Sequence, residues 1–126
     1  MLNTLSQTLA GVPGDQARTN LSNLLRPIAD RLSSQITSTG GLAIKTGGSA
    51  LAKTANTVTY VAGGVHGFLA AADMPALTGL NISAGYYNVA VFYVNSAGTT
   101  SVKFGVQGST AALVKFPTPP EGAACI

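Results

Sequence analysis

The residues that could support catalysis in this sequence are few and far apart. The chain holds one histidine and four acidic residues in 126 positions. A hydrolase would use His66 as its general base, with Asp73 or Asp30 to orient the ring and a serine as nucleophile. No Gly-x-Ser-x-Gly elbow presents such a serine, and the acids, which include Asp15 and Glu121, are too dispersed to argue for a catalytic pair. We therefore expect that the protein is not an enzyme.

Patterns for nucleotides and metals are missing as well. The stretch nearest to a phosphate-binding loop is residues 40–46, where Ile44 stands in place of the second glycine and the segment alternates like a strand. One cysteine and one histidine cannot form a zinc cluster. We expect no cofactor, metal or small-molecule substrate. Cys125 is interpreted as a small apolar residue of a last strand, with an interchain disulfide as the alternative.

The charge pattern argues against nucleic acid and for an assembly. The seven basic residues are scattered singly, whereas a nucleic-acid site shows a stripe or patch. Residues 1–16 lack the regions of a signal peptide, and no run approaches the roughly 18 apolar residues of a membrane span. Only 9% of residues are charged, and a surface with so few charges gives a free monomer low solubility. We expect the protein to be synthesised in a cytoplasm and to function within a packed assembly.

An apolar stripe with a period near 3.6 runs through the N-terminal third and predicts a helical arm over residues 1–40. Asp15 is its predicted N-cap, and Thr39-Gly40-Gly41 its predicted end. Pro27 interrupts the stripe, so we expect either two hinged helices or one kinked helix. A shorter helical turn is predicted over Leu2, Leu5 and Leu9. The stripe packs either on the β domain or on a neighbouring subunit, and its members are Leu21, Leu24, Leu25, Ile28, Leu32 and Ile36.

From residue 41 the apolar period changes to two, which predicts an antiparallel β domain over residues 41–126. Turn signals recur at the spacing of a β-sandwich or barrel. The fold class is therefore predicted as mainly β, an antiparallel sandwich or barrel preceded by an N-terminal helical arm. Residues 77–82 are predicted as a short strand or a loop. The predicted strands cover residues 42–45, 50–61, 65–70, 86–94, 102–107, 111–116 and 123–126.

The β domain is organised around a hairpin from Tyr86 to Val106. Its first strand is apolar on both faces, which is typical of a strand covered on both sides. Residues 95–98, Asn-Ser-Ala-Gly, supply the turn. No charged residue occurs from Met74 to Val102. Such a hairpin needs an apolar cover, either from its own chain or from another.

Four stretches of the β portion resemble small head proteins of tailed bacteriophages, the capsid decoration or cement proteins. The resemblance spans roughly residues 42–126 and rests on turn and strand patterns of moderate specificity. It does not include the helical arm. The stretches are LAKTANTVTYV at 51–61, AGYYNV at 84–89, NSAGT at 95–99 and FPTPPEGA at 116–123.

The resemblance implies a structural virion protein that stabilises a phage head from the outside of its capsid. Such proteins typically form homotrimers and bind the major capsid protein through arms and loops, without catalytic residues. The expected subunit or capsid contacts are the six apolar residues of the helical stripe together with Tyr86 and Tyr87. The alternative is a carbohydrate- or receptor-binding β-sandwich of a fibre or adhesin, in which Tyr86, Tyr87 or Tyr60 would stack on the ligand.

Overall fold

The computed structural model describes residues 14–45 and 51–126. Within these residues the chain is mainly β with one N-terminal helix, as the sequence predicts. The strands form three small antiparallel sheets, and the described residues contain no closed barrel. This helix is not long and apolar enough to cross a membrane. The short helical turn predicted over Leu2, Leu5 and Leu9 lies outside the described residues.

The β-strands form sheets in the orders β1-β4-β5, β2-β3 and β7-β6-β8. A short 3₁₀ helix, Ala111–Leu113, precedes the last strand. The bounds of the helix and strands are α1 Asp15–Leu32, β1 Gln35–Ile36, β2 Leu42–Ile44, β3 Ala52–Thr54, β4 Val58–Ala62, β5 Val65–Leu69, β6 Ala90–Asn95, β7 Thr100–Phe104 and β8 Ala123–Cys125.

Helix α1 differs from its prediction at both ends. It runs without a break through Pro27, so the alternative of two hinged helices is wrong. Gly14, not Asp15, is the N-cap; Asp15 is the first helical residue, and it pairs with Arg18 one turn later. The helix ends at Leu32, and the predicted end at residues 39–41 is wrong because Ile36 pairs with β4 opposite Tyr60.

The hairpin of β4 and β5 is confirmed where the sequence placed it. Its turn is Gly63-Gly64, with φ of 57° and 80°, and these two positive values are those of a type I′ turn. The single strand predicted over residues 50–61 is instead divided into β3 and β4. The division occurs because the N–H groups of Ala55 and Asn56 turn away to the carbonyls of Gly41 and Gly40.

The predicted central hairpin is confirmed in its middle, as β6 and β7, and the closing strand is confirmed as β8, which pairs with β6. Residues 77–82 are irregular. The strand predicted over residues 111–116 is wrong: Ala111–Leu113 forms the 3₁₀ helix, and Lys115 alone makes a β-bridge, to Val106. One bridge cannot extend a ladder, so residues 111–116 do not form a strand.

The core cluster contains residues of both three-stranded sheets. Tyr60 and Ala62 of β4 cluster with Val94 of β6 and Ala124 of β8. Phe92, Tyr93 and Val94 are consecutive in β6 and all buried, so both faces of this strand are covered, as predicted. At these three residues the cover comes from the protein's own chain.

Candidate interaction surfaces

Helix α1 carries an apolar stripe that the described chain leaves open. None of its residues is buried, and Leu24, Ile28 and Leu32 are 64%, 50% and 71% exposed. Their spacing of four residues places them on one side of the helix. Leu21 and Leu25 are half-buried. We call the first three residues the helix stripe.

Ile36, which the sequence assigned to the same stripe, lies elsewhere. It belongs to β1 and packs against the core cluster around Tyr60. Its contact is therefore with the β fold of its own chain, and it is separated from the helix stripe by the end of α1.

The C-terminal end of α1 is attached to the β fold by three hydrogen bonds. Gly122 N–H donates to Asp30 Oδ1 over 2.9 Å, and Gly64 N–H donates to the carbonyl of Ser33 over 2.9 Å. Gly63 N–H donates to Ser34 Oγ over 2.9 Å. All three lie in the last turn of the helix or just beyond it. The helix stripe therefore starts next to this attachment, at Leu32, and extends away from it.

A second apolar surface lies where the central hairpin continues beyond β6 and β7. Tyr87 and Gly108 exchange two backbone hydrogen bonds of 2.9 and 3.0 Å, and Val106 and Lys115 exchange two of 2.9 and 3.1 Å. These bonds join residues 87, 106–108 and 115 into one irregular lobe. We call its exposed apolar side chains the hairpin-end surface, consisting of Tyr86, Tyr87, Val106, Leu113 and Phe116.

A β-bulge shapes this lobe. Ala90 pairs with Phe104 and Tyr87 pairs with Gly108, so two residues on one strand, 88–89, oppose three on the other, 105–107. An extra residue interrupts the alternation of side chains between the faces. Val106, predicted to share a face with Val102 and Phe104, is exposed while those two are half-buried.

The sequence identifies two residues of the hairpin-end surface, Tyr86 and Tyr87, as expected contacts, and it identifies none of the others. Tyr86 and Tyr87 are 46% and 55% exposed, in keeping with their assignment as contact residues. The sequence predicts strands at the other three residues, Val106, Leu113 and Phe116. The signal that could have revealed them is the pair Gly105 and Gly108, since glycines in an otherwise apolar strand favour a bulge or a close backbone approach.

The residues considered for catalysis have structural partners. Asp73 forms an ion pair with Lys45, and Asp30 accepts the Gly122 N–H. His66 is exposed and meets Phe68 edge to face, with ring centroids 5.0 Å apart. Across residues 14–45 and 51–126, no three His, Cys, Asp or Glu side chains come together to hold a metal ion.

Cys125 and Tyr93 face each other across the β6–β8 pair. Burial raises the pKa of the Tyr93 hydroxyl, the neighbouring Cys125 raises it further, and the positive charge of Arg31 acts in the opposite direction. Partial burial also raises the pKa of the Cys125 thiol. The thiolate is the nucleophile, so Cys125 holds less of its reactive form at neutral pH than an ordinary thiol.

The Cys125 side chain is exposed, so access does not limit its reaction. Because its thiol pKa is raised, we expect Cys125 to react with iodoacetamide at pH 8 more slowly in the folded protein than in the same protein unfolded in urea. The difference should narrow as the pH rises above the usual thiol range, because both states then become ionised. Quenched samples analysed by mass spectrometry give both rates. Equal rates at pH 8 would show that the fold does not suppress ionisation of this thiol.

Comparison with protein-family models, with curated proteins and with solved structures finds no match for this chain. The surfaces described above, together with the resemblance of its turn and strand patterns, are therefore the basis for assigning a function. Both surfaces consist of apolar side chains that point away from the core, which is the property expected of a protein that binds other proteins.

Proposed function

We propose that this protein is a capsid decoration protein, a structural virion component that binds the outer surface of a phage head and stabilises it, as a homotrimer. The observation that carries the proposal is the helix stripe. This 18-residue helix has no fully buried residue, and the described part of the chain leaves Leu24, Ile28 and Leu32 half or more exposed. Amphipathic helices owe most of their stability to packing of the apolar face, so α1 is suited to pack on a neighbouring subunit or on the major capsid protein.

The hairpin-end surface supports the same proposal. Tyr86 and Tyr87 belong to the uncharged run from Met74 to Val102, and Phe116 of the same surface is 76% exposed. Aromatic residues are enriched at the buried centres of protein interfaces, and charged residues are depleted there. In the proposed assembly this surface contacts the adjacent subunit of the trimer.

The arrangement of the sheets supports a small sandwich as the body of this module. Sheet β1-β4-β5 contributes Tyr60 and Ala62 to the core, and sheet β7-β6-β8 contributes Val94 and Ala124. We take the two three-stranded sheets as the two layers of an antiparallel β-sandwich. A rigid body of this kind presents arms and loops to the shell without needing a reactive group.

Exposed tyrosines favour a second candidate, the carbohydrate- or receptor-binding module of a fibre or adhesin. Tyr86 and Tyr87 are adjacent and about half exposed, and exposed aromatic rings stack on sugars and on peptide groups. This candidate requires glycan or receptor binding by the isolated protein. Replacing both tyrosines with alanine would abolish that binding and leave an attachment made by α1 unchanged.

Light scattering after size-exclusion chromatography, followed by binding to capsids, tests the proposal. We expect a trimer in solution, and we expect capsids of the encoding phage that lack the protein to bind it from solution. Cryo-electron micrographs of capsids with and without it would place the added density. A monomer that leaves such capsids bare would overturn the proposal.

The helix stripe gives a sharper test through Leu24→Asp. We expect binding to those capsids to weaken by at least about tenfold, because a carboxylate cannot be buried in an apolar contact without a partner. The melting temperature should change little, since exposed positions usually contribute within about 0.5 kcal/mol.

The matched control is Asn23→Asp, which adds the same charge one residue away at an exposed position. It should bind capsids like the unmodified protein in a sedimentation assay. If Leu24→Asp and the corresponding Leu32→Asp both retain full capsid binding, α1 is not the attachment arm.

A further inference from the structure

Strand β5 forms one edge of its sheet. It pairs with β4 on one side, and no described strand pairs with it on the other. The hydrogen bonds of β4 show which backbone N–H and C=O groups of β5 point toward the free edge. Thr59 accepts a hydrogen bond from Thr37 N–H, over 2.8 Å, on the side of β1. Thr59 and its partner Phe68 are therefore a pair without mutual hydrogen bonds. The N–H and C=O groups of Phe68, and by alternation those of His66, point outward at the free edge.

The side chains at this edge are open and uncharged. Phe68 is 69% exposed, Val65 is 50% exposed, and His66 is exposed beside Phe68. Free edges are usually protected by charged residues, by proline or by very short strands. Edge strand β7 contains Lys103, and β2 has only three residues. Strand β5 has five residues, Val-His-Gly-Phe-Leu, and neither a lysine nor a proline among them.

We propose that β5 pairs in antiparallel fashion with β5 of a second copy of this chain, about a two-fold axis at Gly67. The pairing places His66 of each copy opposite Phe68 of the other. Since both residues point their backbone groups outward, each of these two pairs forms two hydrogen bonds. Two three-stranded sheets thereby become one six-stranded sheet.

A second copy fits this edge better than another extended segment does. The register is self-complementary, so one contact satisfies the free edges of both copies at once. The aromatic ring of Phe68 meets an imidazole of the other copy, and cross-strand aromatic pairs of this kind stabilise sheets. No charge opposes a like charge across the axis, because β5 carries none apart from the titratable His66.

The contact goes beyond the proposed function and does not depend on it. A two-fold contact cannot lie inside a three-fold ring, so in a trimer β5 remains on the outside. It would link one trimer to the next. The small area predicts a weak association that appears as the protein concentration rises.

Phe68→Pro tests the contact at its backbone. Proline removes the outward N–H of residue 68, a position where an edge strand tolerates proline, and so removes two hydrogen bonds across the axis. Sedimentation equilibrium of the full chain over a wide concentration range should show the mass of the unmodified protein rising to at least twice its value at low concentration. We expect the dissociation constant of this step to rise about tenfold or more in the variant.

Phe68→Lys provides a second variant should the proline disturb folding. Its added charges lie close to the axis and should weaken the doubling in the same way. The matched control is Gln35→Lys, an exposed residue at the opposite edge of the same sheet, which should associate like the unmodified protein.

Amide hydrogen exchange by NMR gives an independent readout. In the associated protein the amides of His66 and Phe68 should be protected together with that of Gly67, whereas at low concentration Gly67 alone should be protected. The proposal is overturned if the mass never doubles, if both Phe68 variants double like the unmodified protein, or if the His66 and Phe68 amides exchange freely in the doubled species.

Discussion

Replacing Phe92 with alanine should lower the free energy of unfolding by about 3–5 kcal/mol. Phe92 lies in β6, the middle strand of its sheet, and is 4% exposed. Alternation along the strand puts its ring on the same side as Val94, which belongs to the core cluster. Removing the ring loses its burial and leaves a cavity that the small neighbouring side chains cannot fill.

Urea denaturation followed by circular dichroism measures this loss. Phe116→Ala is the matched control, since it makes the same chemical change at a side chain that is 76% exposed. It should alter stability by no more than about 0.5 kcal/mol. Equal losses in the two variants would contradict the assignment of Phe92 to the core.

Replacing Gly105 with alanine should cost about 3 kcal/mol, because a methyl group has no room there. A Cβ at this position would lie 2.2 Å from the Lys115 carbonyl oxygen and 2.7 Å from Val89 Cγ1. The Lys115 carbonyl accepts the Val106 N–H, so displacing it breaks the bridge that holds the lobe together. The variant should therefore lose stability and disturb the hairpin-end surface.

Gly85→Ala separates crowding from backbone conformation. Gly85 has a positive φ of 78°, and a methyl group added there would have no other atom within 4 Å. Alanine at this position therefore meets only the left-handed conformation, at a cost of about 1 kcal/mol. Amide exchange at Val106 and Lys115 should accelerate in Gly105→Ala and stay unchanged in Gly85→Ala. Unchanged exchange in both would show that the bridge does not depend on a glycine at position 105.

Local turn chemistry explains the parts of the fold that the sequence predicts. Gly63-Gly64 can adopt the two positive φ values that a tight hairpin needs, which fixes β4 against β5. Asn95 closes the β6–β7 turn, where its side-chain oxygen accepts the N–H groups of Ala97 and Thr99. Each signal involves residues within four positions of one another, so no distant contact is required to interpret it.

Pairing with distant residues explains the parts of the fold that the sequence does not predict. Ile36 fits the helical period, but it pairs with Tyr60 of β4. It therefore belongs to a strand and not to the helix. Residues 111–116 are apolar enough to predict a strand, yet only Lys115 forms a β-bridge, to Val106. The bulge at residues 105–107 depends on the pairing of Phe104 with Ala90 and of Gly108 with Tyr87, and no short window of sequence contains both strands.

The open state of the helix stripe is likewise beyond sequence analysis. An amphipathic pattern shows that a helix has an apolar side, and it reads the same whether that side packs on its own domain or on a neighbour. Only the exposure of Leu24 and Leu32 distinguishes the two cases for the described chain.

Because α1 is attached at its C-terminal end, a small rotation about that end would displace its N-terminal end by several ångströms. Its 18 residues extend about 27 Å at the usual rise per residue, and its three hydrogen bonds to the β fold lie at one end. A rotation of about 10° around that end moves the other by about 5 Å, as follows from this length. Subunits around an icosahedral shell meet their neighbours at slightly different spacings. In the capsid assembly that we propose, a pivoting arm would let identical chains reach all of these neighbours while the β fold keeps one shape.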